Sequence, residues 1–245
     1  MPEGPSIVIL KELVAPFEGK RVLAVGGNTK TEKERALNRK VLAFKSWGKH
    51  FLICFEGFTI RIHLMLFGSY RINEEKETVP RLSLRFSNGT LNFYACSVKF
   101  IDEDPDRVYD WSEDVMSPIW DPAAARKKLK EHPDMLVCDA LLNQHIFSGS
   151  GNIIKNEVLF RTRIHPMSKA GALPARKLSE LIREVRAYSF EFLEWKKAFV
   201  LRAHWKVHNK KDCPRCHIPL SKAYLGKTNR RSFFCINCQV KYGSP

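Results

Sequence analysis

The stretch 82–101, LSLRFSNGTLNFYACSVKFI, decides how the first half of the chain reads. Residues 82–86, 91–95 and 98–101 are short runs rich in apolar and β-favouring side chains, and Asn88-Gly89 between the first two is a strong two-residue hairpin signal. Working outward, similar runs occur at 22–25, 41–44, 51–55 and 59–63. Ahead of them, residues 6–17 put Ile7, Leu10, Leu13 and Val14 at helical spacing, with Gly19 just past the end. Seven short strands and one helix predict a β-sandwich or barrel, and argue against a parallel sheet.

The character changes after about Asp110. Asp121-Pro122 suits a helix start, and 123–131, 134–145, 153–161 and 175–195 read as helices, with 148–152 (SGSGN) a tight turn between two of them. The end of the chain from His208 is short, basic and cysteine-bearing. The expectation is an α+β chain of several domains: helix plus β-sandwich over 1–112, helices over 113–207 and a small ribbon over 208–245.

Hydrophobic residues at 44% and charged residues at 27% exclude wholesale disorder and a coiled coil. No run approaches the roughly 18–20 apolar residues of a membrane span. The first residues, MPEGPSIVIL, lack the basic cluster of a secretory leader, so a soluble intracellular protein is expected. The net charge of +15 points to a polyanionic partner, nucleic acid first, against the plainer reading of a solubilising surface. Residues 195–245 carry twelve Lys and Arg against one acid, Asp212, and so hold +11 of the excess.

Seven cysteines fall into two groups. Cys54, Cys96 and Cys138 lie in apolar surroundings and read as buried free thiols. Cys213-x2-Cys216 and Cys235-x2-Cys238 have the two-knuckle spacing of a four-cysteine zinc site, expected to hold one structural Zn2+; a pair of disulfides is the alternative. The hairpin tip between the knuckles would carry Lys227, Arg230 and Arg231, suited to phosphates or simply solvated.

Pro2-Glu3-Gly4-Pro5 is an unusual opening. Loss of the initiator Met1 would expose a secondary amine with a pKa near about 7.7–8.0, able to attack an aldehyde-level carbon. The adduct is an iminium, cationic without an added proton, and Glu3 is placed to act as its acid or stabilising carboxylate. An ordinary flexible terminus is the alternative.

Taken together, the MPEGP start, Gly48-Lys49 after a β run, His63 closing a later strand, Gly149-Ser150-Gly151-Asn152 between helices and the terminal four-cysteine ribbon resemble the formamidopyrimidine-DNA glycosylase/endonuclease VIII family over essentially the whole chain. The resemblance implies a helix–two-turn–helix module with a zinc finger that grips damaged double-stranded DNA. It implies that Pro2 attacks C1′ of the damaged nucleotide, that Glu3 serves as acid and base, and that Lys49 contacts phosphate near the lesion and assists the lyase step. It further implies that Asn152 bonds the DNA backbone and that Arg230 is the zinc-finger arginine, with adjacent Arg231 one residue of slip away.

In the same family the loop after the strand ending in His fills the gap left by an extruded base, which maps to Met65, Leu66 and Phe67. Packing of these three into the sandwich core is the alternative. The Leu-Phe pair resembles the endonuclease VIII branch. Ser6 replaces the acid common after the second proline, and the segment from Trp195 to Cys213 lacks the long glycine-rich loop of the purine-acting branch. The implied activity is therefore a DNA glycosylase/AP lyase of base excision repair acting on oxidised pyrimidines by β,δ-elimination. The same chemistry on oxidised purines, or a non-catalytic zinc-ribbon DNA-binding protein, are the alternatives. A monomer in a bacterial-type cytoplasm, on nucleoid DNA, is expected.

Overall fold

Within the strands between Ala43 and Ile101, alternate apolar side chains such as Phe51, Ile53, Ile60 and Ile62 bury one face together. The computed structural model describes residues 2–243, which divide into two compact units, 1–110 and 111–245. Met1, and with it the expected processing that exposes the Pro2 amine, lies outside the described residues.

In the first unit α1 (Gly4–Leu13) precedes eight strands: β1 (Ala24–Gly26), β2 (Ala43–Trp47), β3 (His50–Phe55), β4 (Phe58–His63), β5 (Ser69–Ile72), β6 (Leu82–Phe86), β7 (Gly89–Tyr94) and β8 (Ser97–Ile101). A short helix, α2 (Pro105–Val108), follows. The strands form two antiparallel four-stranded sheets, ordered β1-β6-β7-β5 and β2-β3-β4-β8. This is the sandwich expected. Phe51, Ile53, Ile60 and Ile62 line one inner face and Leu82, Leu84, Leu91 and Phe93 the other, all essentially inaccessible. α1 closes the core with Ile7, Leu10 and Val14, each wholly buried and each stabilising by about 1.5–3 kcal/mol.

Two local expectations shift. The hairpin between β6 and β7 pairs Phe86 with Gly89, so Ser87-Asn88 form its centre, and Gly89 opens the next strand. The strand β5 escaped the sequence reading because only Tyr70 and Ile72 mark its inner face; pairing with β7 creates it.

The second unit holds α3 (Pro122–Glu131), α4 (Val137–Ala140), α5 (Asn152–Arg161), α6 (Ala175–Lys197) and a hairpin of β9 (Ser221–Leu225) and β10 (Arg230–Phe234). Asp121 caps α3 by accepting from the Ala123 N–H at 2.7 Å. The helix expected over 134–145 shrinks to α4, because Asn143 Oδ1 accepts from the His145 N–H at 2.9 Å and diverts the chain into turns. The ribbon does not stand apart: Phe160 of α5 joins Val207, Leu220 and Phe233 in one apolar cluster with Cys213 and Cys235.

Candidate active site

Glu3 occupies the N-cap position of α1 in extended conformation, has no accessible surface, and its carbonyl accepts from the Ser6 N–H at 2.8 Å. Pro2 before it is half-buried. α1 packs on β2 and β3. The two-residue turn between those strands is Gly48-Lys49, with Gly48 at φ 53° and Trp47 opposite His50. Positive φ at the first central residue alone is the geometry that glycine permits in a hairpin turn. It sets half-buried Lys49 at the sheet end, beside the strand end that carries His63.

Cross-strand pairing then brings His63 together with residues that the sequence did not single out. His50 lies opposite His63, with ring centroids 5.5 Å apart, and also packs edge-on against Tyr109 at 5.7 Å. Trp47 stands 4.9 Å from Tyr109 and donates its Nε1–H to the Asp110 carbonyl. Burial, then the charges of Arg61, His63, Lys49 and Lys99, drive the His50 imidazole down to about 3. His63 shifts in the same direction through burial, Lys49 and Arg61. Alternation along β3 and β4 places these groups together, but nothing short of the strand register identifies which residues pair.

The segment after His63 is a tight loop closed by the Gly68 N–H donating to the Leu64 carbonyl at 2.7 Å. A Cβ at Gly68 would collide with that carbonyl, so the turn demands glycine. Leu64 points into the core, whereas Met65, Leu66 and Phe67 are 51%, 46% and 82% exposed. The alternative of core packing for these three is excluded. Met65 takes φ 51°, and its N–H donates to His63 Nδ1 at 3.2 Å.

In the second unit, Asn152 opens α5, and its Nδ2 donates to the Arg231 carbonyl at 3.0 Å. That amide therefore braces the ribbon. Behind it, three consecutive hydrophilic residues of α5 are fully buried. Lys155 Nζ donates to Ser232 Oγ at 2.8 Å, Asn156 Oδ1 accepts from the Phe233 N–H, and Glu157 accepts the N–H groups of Lys206, Val207 and His208 at 2.8–3.0 Å. A polar helix face ordinarily signals solvent; here it signals a strand docked through its backbone.

Side chains alternate along β10, so Arg230 shares the side of Ser232 that meets Lys155, and Arg231 lies on the other. Arg231 donates to the Tyr224 hydroxyl at 2.8 Å and lies over that ring at 5.2 Å. The hairpin tip is clamped from α4: the Asp139 carboxylate accepts from the N–H groups of Lys227 and Thr228 and from the Thr228 hydroxyl, at 2.9, 3.0 and 2.8 Å. Gly226 leaves room for it, since a Cβ there would strike the carboxylate. No local signal in the sequence marks Asp139.

The ligand atoms of Cys213, Cys216, Cys235 and Cys238 lie within 4.8 Å of one another, and all seven cysteines are free. A tetrahedral ion about 2.3 Å from each sulfur would space the sulfurs about 3.8 Å apart. Cys213 and Cys238 are 3.8 Å apart, far beyond a disulfide. Burial, then the neighbouring sulfurs, hold the Cys238 thiol well above its ordinary range. The donor set fits a metal ion. Cys96 and Cys138 are buried free thiols as expected, each pushed up to about 11 chiefly by burial.

The architecture places the chain in a known structural class. A Lactococcus lactis formamidopyrimidine-DNA glycosylase, solved bound to AP-site DNA, superposes with a TM-score of 0.86 at 19% identity, covering 98% of this chain and 100% of that one. Family models for the formamidopyrimidine-DNA glycosylase N-terminal domain and H2TH domain match residues 1–100 and 113–199. The chain belongs to the formamidopyrimidine-DNA glycosylase/endonuclease VIII family. The mouse protein named Endonuclease 8-like 3 is 31% identical over 201 residues, 78% of this chain but 33% of its own length. A Solibacter usitatus formamidopyrimidine-DNA glycosylase is 28% identical over 271 residues, covering 98% of this chain and all of that protein. The chain thus spans about a third of the first of the curated relatives it matches.

Proposed function

We propose that the protein is a DNA glycosylase with AP lyase activity, excising oxidised bases, pyrimidines foremost, from duplex DNA. The observation that carries this reading is Glu3: a carboxylate without accessible surface, one residue after Pro2, at the head of a helix packed against the sheet that bears Lys49. Burying a carboxylate is costly unless it is paired or hydrogen-bonded, so one held beside Pro2 is a built part of the fold.

The Pro2 nitrogen, once freed, attacks C1′ of the damaged nucleotide. Glu3 protonates the opening sugar oxygen, and the base leaves with the electrons of the glycosidic bond. The resulting iminium acidifies C2′; loss of that proton expels the 3′ phosphate, and a second elimination releases the 5′ phosphate. Lys49 holds a phosphate beside the reacting sugar. Met65, Leu66 and Phe67 fill the gap in the stack, a role their exposure supports. The N-terminus of α5 at Asn152 presents the positive end of a helix dipole, favourable to phosphate. Arg230, on the α5 side of its strand, is the ribbon arginine that engages the backbone, with Arg231 supported on Tyr224 as a second phosphate contact.

The four cysteines would hold one Zn2+ as a structural ion, since four thiolates leave no open position for a catalytic water. The absence of a long loop between Trp195 and Cys213 favours pyrimidine over purine lesions. We infer action as a monomer on nucleoid DNA in a bacterial-type cytoplasm.

Borohydride tests the chemistry, because it reduces an iminium to a permanent link. The protein incubated with thymine glycol or abasic duplex and borohydride should migrate as a covalent protein–DNA adduct, and Pro2→Gly should lose most of it. Equal trapping by Pro2→Gly, or mass spectrometry showing Met1 retained, would overturn the mechanism. Excision of 8-oxoguanine ahead of thymine glycol and dihydrouracil would overturn the lesion preference.

A further inference from the structure

Among the described residues, Phe199 is the most exposed large apolar side chain, at 97%. It sits immediately after the C-cap Ala198 of α6, in the left-handed region at φ 60°. Its N–H donates to the Lys196 carbonyl at 3.1 Å, and the Val200 N–H donates to the Trp195 carbonyl at 2.9 Å. This paired bonding is the usual left-handed helix terminus, where glycine is favoured because any Cβ is strained. A bulky aromatic there is a true outlier. Neither the fold nor packing gains from it: the ring touches almost nothing, and glycine would end the helix at lower cost.

The surroundings order the backbone that carries the ring. Trp195 stacks on His204 with centroids 4.2 Å apart and planes 3° apart, while Leu201 anchors in the helical core. The Ala203 N–H returns to the Val200 carbonyl at 3.0 Å. From 195 to 211 the chain carries Lys196, Lys197, Arg202, Lys206, Lys210 and Lys211 with no acid; Glu194 is the nearest one before it. Burial and the Arg202 charge both depress the Lys196 ammonium, a sign that cations crowd this helix end.

We propose that Phe199 is a stacking platform for an unpaired nucleobase, with the neighbouring cations holding the phosphates of the same strand. An exposed aromatic face on an ordered backbone, next to concentrated positive charge, matches single-stranded nucleic acid, whose bases offer apolar faces and whose backbone offers charge. Because the Phe199 backbone is fixed by the helix terminus, stacking requires little further ordering. The inference rests on the reading above that the protein binds DNA, and it adds a site for an unpaired base to it.

The test compares the parent protein with Phe199→Gly, Phe199→Ala and Phe199→Trp, using an oligonucleotide with a short single-stranded gap and its fully paired counterpart. Phe199→Gly and Phe199→Ala should weaken binding to the gapped DNA by about five- to a hundredfold, with a smaller change on paired duplex, and Phe199→Trp should bind gapped DNA as the parent does. Phe199→Gly should at the same time raise the melting temperature by relieving the left-handed strain, so weaker binding is not attributable to misfolding. Unchanged gapped-DNA binding by Phe199→Gly and Phe199→Ala would overturn this inference and leave the glycosylase reading standing. A parent protein that binds neither DNA would overturn both.

Discussion

His50 shows how position on the sheet sets chemistry at a single residue. Its ring is packed among Trp47, His63 and Tyr109, its Nδ1 has no hydrogen-bond partner, and Lys49, Arg61 and Lys99 surround it with positive charge. A proton there would be both desolvated and repelled. The unfolded imidazole takes up a proton near 6.5, the folded one only near 3. Between those values the unfolded state binds more protons, so stability is complete above pH 6.5 and falls as the pH is lowered toward 3, by on the order of a few kcal/mol. Proton NMR should find the His50 ring neutral from pH 8 to pH 5, and His50→Gln should blunt the acid sensitivity of the first unit. A His50 resonance titrating near pH 6 would refute the argument. Pro2 and Glu3 were legible because their peptide is odd as a sequence. His50, Arg61 and Tyr109 were not, because pairing across strands, rather than spacing along them, brings them together.

At the level of elements, α5 and the cysteine hairpin form one structural device. Glu157 neutralises three N–H groups of the 206–208 segment, while Asn152, Lys155 and Asn156 satisfy the backbone of β10. The pairings to β10 work only while the hairpin is folded, and the small apolar core around Phe233, Leu220 and Cys235 is completed by Phe160 of α5. If the four cysteines hold a metal ion, as proposed above, removing it does more than loosen a finger. It would strand a buried lysine, asparagine and glutamate, each leaving an unmet desolvation cost of about 1–3 kcal/mol or more for the charged groups. Chelation under reducing conditions should accordingly lower the melting temperature of the 111–245 unit as a whole, and resupplied Zn2+ should restore it. A calorimetric trace in which only a small separate transition disappears would contradict this coupling. The cysteine spacing announced the convergence of four sulfurs, yet it gave no hint of the docking, since a lysine, asparagine and glutamate in a helix read as a wetted face. Asp139 was hidden for a related reason: it looks like an ordinary helical acid until its clamp on Lys227 and Thr228 is seen.

At the scale of the whole molecule, the uneven charge is the feature that most constrains what the protein binds. Eleven of fifteen excess positive charges fall in 195–245, the stretch that holds the α6 terminus and the ribbon. Some of these cations are committed internally; Arg215 donates to the Phe160 carbonyl and lies 3.9 Å over that ring. Others, including Arg202, Lys206, Lys211, Lys222, Lys227 and Arg231, are exposed. Their mutual repulsion disfavours the folded state unless a polyanion relieves it. If six of the twelve meet phosphates, displaced counterions give a log–log slope of affinity against salt near about −5. Duplex binding measured from low to moderate salt should show that steepness, and replacing Lys222 and Lys227 together by Gln should make it shallower by roughly two contacts while leaving lesion preference unchanged, because phosphates position the protein and carry no base identity. A slope shallower than about −2 in the parent protein would mean that the basic end is a solubilising surface, and that recognition of DNA must reside in the exposed apolar loop at Met65, Leu66 and Phe67 instead.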